Sequence, residues 1–372
     1  MRFRSILALA ALALPAALAA QTTFAGDAGA SVGFLYKRYN FGSTYPVKNV
    51  AQYAVPVGLV IPIGQRFTVD VGTYWASTTS HDAATGDGHT IDGFTDTQLR
   101  GSYVLGNDMV VLSLMLNLPT GKETQSLEEI AVSSAISSNF LLFPVASYGN
   151  GFSGTLGAAV AFPAGSWNLG LSASGRLSGK YQPYSESGLT DQRYEPGFEG
   201  RVRVGLDRLV GASRLAFGFT YSTFADDQFN GGATTGSYRP ATRYIGEASL
   251  TSPVGNATMS VYAWDYYRAG SNDDATPGAT KENVFNGGLQ FAIPAGATVT
   301  IQPLAEARLL GAAPANGTGI LFGVGVTAPI RAGNKFSIVP GARYDTGHIE
   351  SDVVGKPSVN GFEGTLRFRY AF

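Results

Sequence analysis

The feature that most constrains the fold is an alternation of apolar and polar residues that recurs along the chain and is clearest at its end. In the last twelve residues, GFEGTLRFRYAF, the aromatic residues and leucine fall on even-numbered positions, and the charged residues fall on odd-numbered positions. In an extended strand, this period of two places the apolar side chains on one face and the charges on the other. The same pattern recurs in SWNLGLSASGRLS (166–178), FEGRVRVGLD (198–207) and RLAFGFTYS (214–222). The alternation therefore predicts amphipathic β-strands along the chain.

Apolar residues are plentiful in this chain but are never concentrated. They make up 44% of the 372 residues, whereas charged residues contribute only 14%, against about 25% in soluble globular domains. After residue 20, no apolar stretch approaches the roughly 20 residues that a transmembrane helix needs. A membrane barrel interleaves lipid-facing and lumen-facing residues in this way. A soluble β-sandwich could show the same alternation, but a chain of this length would then need many more charges on its outside.

Turns that contain glycine or proline divide the chain into strands. Short turns such as IPIGQ (61–65), FPAGS (162–166) and IPAGA (293–297) alternate with longer connections rich in Gly, Ser and Asp. This asymmetry is typical of bacterial outer-membrane barrels, in which the short turns are periplasmic and the long loops are extracellular. The fold class predicted is all-β, a transmembrane antiparallel up-and-down barrel with 16 strands, or alternatively 14. The predicted strands are 30–39, 49–62, 66–79, 94–105, 108–118, 151–162, 166–178, 195–208, 212–223, 241–252, 257–268, 284–293, 297–309, 318–328, 334–346 and 361–372.

The N-terminal segment has the layout of a secretory signal peptide: two arginines, an apolar run and then small residues. We expect residues 1–20 to be removed by cleavage after Ala19 or Ala20, and residues 21–372 to form a single barrel domain in the outer membrane of a Gram-negative cell. Without the two arginines of that segment, 24 basic residues oppose 27 acidic ones. This balance gives no argument for nucleic acid as a partner. The absence of cysteine excludes disulfides, cysteine-ligated zinc and thiol catalysis.

The inward face of the predicted barrel is rich in arginine, which bears on function. Because rings of arginine favour anions, the first hypothesis is a porin-like channel for passive uptake of small solutes through a polar lumen. The alternative is a structural or adhesive barrel whose lumen is blocked by its own side chains. Many of the charges lie near an opposite charge, which predicts a ladder of ion pairs. The predicted lumen-lining residues are Arg100, Arg176, Glu199, Arg201, Arg203, Arg214, Arg243, Glu247, Glu306, Arg308, Arg343, Glu363, Arg367 and Arg369.

The longest connection between predicted strands runs over residues 119–150. A helix is predicted from about Ser126 to Ser137, because Ser126 can cap its N-terminus and Glu128 and Glu129 suit its first turn. The segment ends in the apolar sequence NFLLFPV. It could fold into the lumen as a constriction, or it could be an extracellular loop without a gating role.

Several short motifs carry a resemblance to a known group of proteins. FTDTQLRGSYVL followed by LNLPTGKE, then FPVASYGNGFSGTLGAAVAF and LSGKYQPY, is similar to the outer-membrane transporters related to the fatty-acid channel and to the aromatic-degradation (MetA-pathway) transporter families. The matching positions are Asp96, Pro119, Thr120, Gly121, Lys122, Tyr148, Gly149 and Gly151. The resemblance implies a barrel transporter, and it adds gated uptake of hydrophobic compounds as a further alternative. The final strand also resembles the C-terminal signature of outer-membrane barrels, which implies that the barrel-insertion machinery recognises the strand ending in Phe372.

The sequence gives little support for an enzyme. Three histidines fall in predicted external loops near aspartates: His81 and His89 near Asp82 and Asp87, and His348 near Asp345. No nucleophile motif accompanies them. We therefore predict no enzyme activity, no metal site and no cofactor. The expected partners are the lipid bilayer, lipopolysaccharide and small-molecule solutes.

Overall fold

In a computed structural model, the strands close into one antiparallel barrel, and the described residues include one short helix. The structure describes residues 28–106, 109–186, 192–231, 236–270, 281–312 and 317–372, so the predicted signal peptide lies outside the described residues. Numbered along the chain, the elements are β1 (Gly29–Phe41), β2 (Val47–Ile63), β3 (Phe67–Asp82), β4 (Gly88–Phe94), β5 (Thr97–Leu105), β6 (Val110–Leu118), α1 (Leu127–Ile136), β7 (Ser153–Ala164), β8 (Trp167–Ser178), β9 (Arg193–Glu195), β10 (Glu199–Val210), β11 (Ser213–Phe224), β12 (Asp227–Asn230), β13 (Gly236–Tyr238), β14 (Arg243–Val254), β15 (Ala257–Arg268), β16 (Glu282–Pro294), β17 (Thr300–Ala312), β18 (Thr318–Thr327), β19 (Ile330–Ala332), β20 (Phe336–Glu350) and β21 (Ser358–Ala371).

The barrel wall has 16 crossings, two of which are built from two strands each. β4 and β5 form the fourth crossing, since both pair with β3. β18 and β19, which both pair with β20, form the fourteenth. The barrel closes where β1 pairs with β21, from Gly29 opposite Ala371 to Phe41 opposite Val359. The prediction of a transmembrane antiparallel barrel with 16 rather than 14 strands is confirmed.

Tight turns join the strands at one end of the barrel. Between β7 and β8, Ala164 lies opposite Trp167, and the two-residue turn begins with Gly165 at φ +65°. The turn between β10 and β11 has the same form, with Gly211 at φ +61°. Glycine suits such turns because a side chain is strained at positive φ. These are the turns that the motifs FPAGS and LVGAS indicate in the sequence.

The alternation of the sequence separates an apolar outer face from a polar inner face. Phe34 and Leu177 are 57% and 68% exposed on the outside of the barrel, whereas Tyr39 on the inside is fully buried. In the final strand, Phe362 and Tyr370 are exposed on the outer face, while Glu363 bonds to Lys37 on the inside. The outer face therefore presents to lipid the apolar belt that a transmembrane barrel requires.

The strands extend further towards the long loops than the sequence predicts. The prediction that the three histidines lie in external loops is wrong, because His81 lies in β3, His89 in β4 and His348 in β20. These polar strand ends continue the pairing of the ladder; for example, His81 lies opposite both Asn49 and Gly88. Asp345, near His348, lies inside β20 and is buried.

Beyond the barrel rim, part of the long-loop region is itself ordered. β9, β12 and β13 form a separate three-stranded sheet that the sequence analysis did not predict. Asp227 holds this sheet together, since its carboxylate accepts hydrogen bonds from the Tyr194 hydroxyl and from the backbone N–H of Gly197. Across the residues that the structure describes, no helix is both long and apolar enough to span a membrane.

Candidate functional site: the interior of the barrel

The connection over residues 119–150, here called the inner loop, folds into the barrel from a single root. The carboxylate of Asp96, between β4 and β5, accepts the backbone N–H of Gly121 at 3.1 Å and that of Asn150 at 2.8 Å. One side chain thus ties both ends of the loop to the wall. Thr120 adds to the root, because its hydroxyl accepts the backbone N–H of Thr97 at 2.8 Å.

Glycines allow the two ends of the inner loop to approach each other. A Cβ atom on Gly149 would lie 2.9 Å from the backbone nitrogen of Glu123, and one on Gly121 would overlap the backbone of Tyr148 and Asp96. Asp96, Gly121, Tyr148 and Gly149 all belong to the motifs that resemble the transporter families. Those motifs therefore build the root of the inner loop.

Helix α1 begins the loop as the sequence predicts. The Ser126 hydroxyl accepts the backbone N–H of Glu129 at 3.2 Å, and the Glu129 carboxylate accepts the backbone N–H of Ser126 at 3.0 Å, which completes a capping box. Lys122 forms an ion pair with Glu129. On its inner side the helix buries Val132 and Ile136. The helix is thereby fixed at the mouth of the barrel, next to β3 and β4.

The apolar segment after α1 is seated on the wall through its main chain. Arg308 donates to the carbonyl oxygen of Phe140 at 2.5 Å, and Lys37 donates to that of Leu142 at 3.0 Å. Gln52 both accepts the backbone N–H of Val145 at 2.8 Å and donates to its carbonyl oxygen at 2.9 Å. The side chains of the segment join the buried apolar cluster inside the barrel. Wall and loop therefore satisfy each other's polar groups in the interior.

The wall side chains that seat the loop belong to a larger charged network. Lys37 pairs with Glu363 at 3.0 Å. Arg343 pairs with Asp345 at 2.8 Å and also with Glu306. The Tyr39 hydroxyl donates to Asp345 at 2.8 Å. Buried charges are stable only when they are paired in this manner.

The arginines on the opposite wall are paired with carboxylates. Arg203 lies 2.5 Å from Glu247, and Arg214 lies 3.1 Å from Asp207. Glu199 lies between two arginines, at 2.7 Å from Arg201 and 4.0 Å from Arg176. Arg100 forms an ion pair with Asp70. The ladder of ion pairs that the sequence predicts is therefore present on this side.

Among the described residues, the remaining predicted arginines have no carboxylate partner. The guanidinium of Arg243 lies over the ring of Phe224, 4.7 Å from its centroid. Arg308 bonds only to the carbonyl of Phe140, and its Nε atom has no partner. Arg367 and Arg369 make no hydrogen bond or ion pair within the part of the chain that the structure describes. These four arginines therefore differ from the other predicted arginines, each of which lies near a carboxylate.

Two cavities flank the inner loop. The first, here called the basic cavity, has a volume of about 290 Å³, and four cations and two carboxylates line it. They are Lys37, Arg308, Arg343, Arg367, Glu306 and Glu363. The second, here called the neutral cavity, has a volume of about 240 Å³ and is lined by Arg176, Arg201, Asp96 and Glu199 together with uncharged residues. Tyr74 and Pro144 line both cavities, so the two spaces meet at the inner loop.

Sequence reasoning missed three interior residues that hold the loop. Lys37 is followed directly by Arg38, so alternation alone cannot decide which of the two charges faces inward. Tyr39 shares its parity with Lys37 and Leu35, and these three face inward while Phe34 faces outward. Gln52 is uncharged and lies among apolar residues of β2, where only its parity could have indicated an inward position.

Comparisons with known proteins give matches of fold. A TodX mutant described as a monoaromatic hydrocarbon channel is 10% identical, with a TM-score of 0.48 over 95% of this chain and 92% of that one. The monoaromatic hydrocarbon channel CymD is 10% identical, with a TM-score of 0.42 over 96% of this chain and 92% of that one. A loop-deletion mutant of the outer-membrane protein OmpT of Vibrio cholerae is 11% identical, with a TM-score of 0.45 over 92% of this chain and 100% of that one. No family model and no curated protein sequence matches the chain. The barrel fold that the resemblance implies is present in the structure itself.

Proposed function

We propose that the protein is an outer-membrane channel for the passive uptake of small solutes, which move through the polar interior and past the inner loop. The observation that carries the proposal is that charged side chains line open space on both sides of a loop held to the wall through its main chain. Charged residues inside a membrane protein are tolerated where they face a water-filled path, and they commonly mark that path.

In this proposal, the inner loop constricts the path without sealing it. Support comes from the asymmetry of its seating: the loop is bonded to β1, β2 and β17 through Lys37, Gln52 and Arg308. The neutral cavity lies on its other side, next to Arg176 and Arg201. A solute therefore meets a narrow passage between the loop and the arginine-bearing wall.

The path has an anion preference because several of its cations lack a carboxylate partner. Within the part of the chain that the structure describes, Arg367 and Arg369 make no ion pair or hydrogen bond, and Arg308 bonds only to a backbone carbonyl. Uncompensated arginines lower the energy of an anion in the lumen and raise that of a cation.

The experiment that tests the proposal is single-channel recording of refolded residues 21–372 in a planar bilayer, with reversal potentials measured in a salt gradient. We expect steady conductance with anion preference, and a weaker preference when Arg367 and Arg369 are neutralised, because among the described residues these two arginines have no partner. Arg239→Gln is the matched control, because Arg239 is an exposed residue beyond the barrel, paired with Asp226.

Silence from protein whose folding is verified by heat-modifiable migration in gels contradicts the proposal. That result favours either a gated carrier for hydrophobic compounds or a structural barrel with a blocked lumen. Unchanged selectivity in the variant that lacks the charges of Arg367 and Arg369 contradicts only the role given to these two arginines.

A further inference from the structure

The charges around the basic cavity leave one guanidinium group, that of Arg367, without a counter-charge. Lys37 pairs with Glu363, and Arg343 pairs with Glu306 and Asp345, so three carboxylates lie among the three cations Lys37, Arg343 and Arg308. Within the described residues, Arg367 makes no hydrogen bond or ion pair, and its buried Nε atom has no partner. A buried cation without a partner is costly, so this cavity favours an anion.

Apolar side chains form the wall next to Arg367. On β21, Thr365 and Arg367 are successive inward-facing positions, roughly 7 Å apart along the strand. Leu35 lies opposite Thr365, and Gly33 lies opposite Arg367. Leu35 and Phe143 line the same cavity on the side of the inner loop. A cation, a hydroxyl and an apolar surface therefore lie side by side.

The glycine opposite Arg367 leaves room for its side chain. A Cβ atom on Gly33 would lie 3.2 Å from Cγ of Arg367 and 3.4 Å from the ring of Pro56. A larger residue at position 33 would push the guanidinium away from the wall. The position of Arg367 is therefore set by close packing, although no hydrogen bond holds it.

We propose that the basic cavity binds small monocarboxylates whose apolar body is about the size of one aromatic ring. The carboxylate bonds to Arg367, and the apolar body packs towards Leu35 and Phe143. A volume of about 290 Å³ is at the lower end of the range for ligand pockets, about 300–1,000 Å³, which favours small ligands. This inference rests on the proposed function, since it names the solute class that the channel takes.

Equilibrium binding to the refolded protein in detergent micelles tests the inference without requiring transport. The probes are benzoate, the neutral benzamide and the cationic benzylammonium, which share a ring and differ in charge. We expect saturable binding of benzoate only. Arg367→Gln should weaken it about tenfold, because a hydrogen bond between charged groups is lost, and Arg367→Lys should retain part of the affinity. Arg239→Gln should bind like the wild type.

Uptake of the same three probes into proteoliposomes separates this inference from the proposed function. Faster entry of benzoate than of benzamide, lost in Arg367→Gln while chloride conductance persists, supports both. Chloride conductance without saturable benzoate binding overturns the inference and leaves the channel standing. Benzoate binding that depends on Arg367, without any conductance or uptake, overturns the channel and keeps the binding site. Equal binding by wild type and Arg367→Gln overturns the site, whatever the transport result.

Discussion

The two cavities beside the inner loop are built from similar side chains but differ in how their charges are paired. In the neutral cavity, Arg176 and Arg201 both flank the carboxylate of Glu199. The carboxylate of Asp96 accepts the two backbone hydrogen bonds that anchor the inner loop. In the basic cavity, Arg308 and Arg367 have no carboxylate partner among the residues that the structure describes. Arginine content alone therefore does not show which cavity carries unpaired positive charge.

The difference follows from register. On the paired wall, Gly218 lies between Arg203 and Glu247, and a Cβ atom there would lie 2.7 Å from the Glu247 carboxylate and 2.8 Å from the Arg203 guanidinium. The glycine opens the space in which the two charges meet. On the other wall, Arg367 lies between Gly33 and Val339, and neither neighbour offers a charge. Direct cross-strand neighbours do not distinguish the two arginines, since Arg203 also lies between uncharged residues, Ser172 and Thr220. Arg203 differs because it reaches Glu247 across Gly218.

The largest effect is expected from removing the inner loop, which separates the two cavities. The ends of the inner loop touch, since Gly149 lies against Lys122 and Glu123, so residues 123–148 can be replaced by two glycines without straining the wall. We expect single-channel conductance to rise severalfold and the two cavities to act as one lumen. Planar-bilayer recording of the deletion variant measures this directly.

Shortening the turn between β20 and β21 by removing residues 352–356 is the control for the loop deletion. This turn lies at the same end of the barrel but lines neither cavity. Its removal should leave the conductance unchanged. If the inner-loop deletion conducts no better than this control, the loop does not divide the lumen.

Replacing an arginine by methionine should destabilise the barrel much more on the wall where the arginine is paired than on the wall where it is not. Arg203→Met leaves Glu247 buried and unpaired and should lower the free energy of unfolding by about 3 kcal/mol. Arg367→Met removes no partner and should change it by about 0.5 kcal/mol or less. Urea unfolding in lipid vesicles gives both free energies. In reversal-potential measurements, Arg367→Met should reduce the anion preference more than Arg203→Met does.

A double variant completes this comparison. In Arg203→Met with Glu247→Gln, no charge is left unpaired, so most of the lost stability should return. Equal destabilisation by the two single variants would show that pairing does not distinguish the walls.

The barrel could be predicted from the sequence because its signals are local. Strand alternation and glycine turns recur along the chain, and each of the 16 predicted crossings corresponds to one in the structure. The sheet of β9, β12 and β13 was missed because its strands are three or four residues long, too short to show a period. Long strand ends such as STTSHD were assigned to loops because they are polar on both faces.

The site could be predicted only in part, because partners across the barrel are set by register. Parity identified Arg203 and Glu247 as candidates, but not that they pair. The contact between Arg308 and the carbonyl of Phe140 joins residues 168 positions apart, and nothing local in either segment indicates it. Whether the inner loop lies inside or outside the barrel was likewise left open by its sequence.

A smaller effect is expected from loosening the seat of the inner loop. Gln52 is fully buried, and Gln52→Ala leaves both backbone groups of Val145 without partners. We expect a loss of about 2 kcal/mol in the free energy of unfolding, together with noisier single-channel current. Gln98→Ala is the matched change at a residue that lines the neutral cavity. It should neither lower the free energy of unfolding nor make the current noisier. Quiet current in Gln52→Ala would show that Lys37 and Arg308 suffice to hold the loop.

The smallest effect concerns the last anchor of the loop, the hydroxyl of Tyr148, which lies 2.8 Å from that of Thr78. Burial raises the pKa of Tyr148 to about 12, from its ordinary value of 10.0. Between these values the folded protein keeps a proton that the unfolded chain releases, so stability is constant below about pH 10 and falls as the pH rises towards 12. Tyr148→Phe should cost about 1 kcal/mol near neutral pH and should reduce this alkaline loss, whereas Tyr53→Phe on the outer face should not. Urea midpoints at about pH 8 and about pH 11 measure both quantities, and an alkaline loss as large in Tyr148→Phe as in the wild type would assign it to other groups.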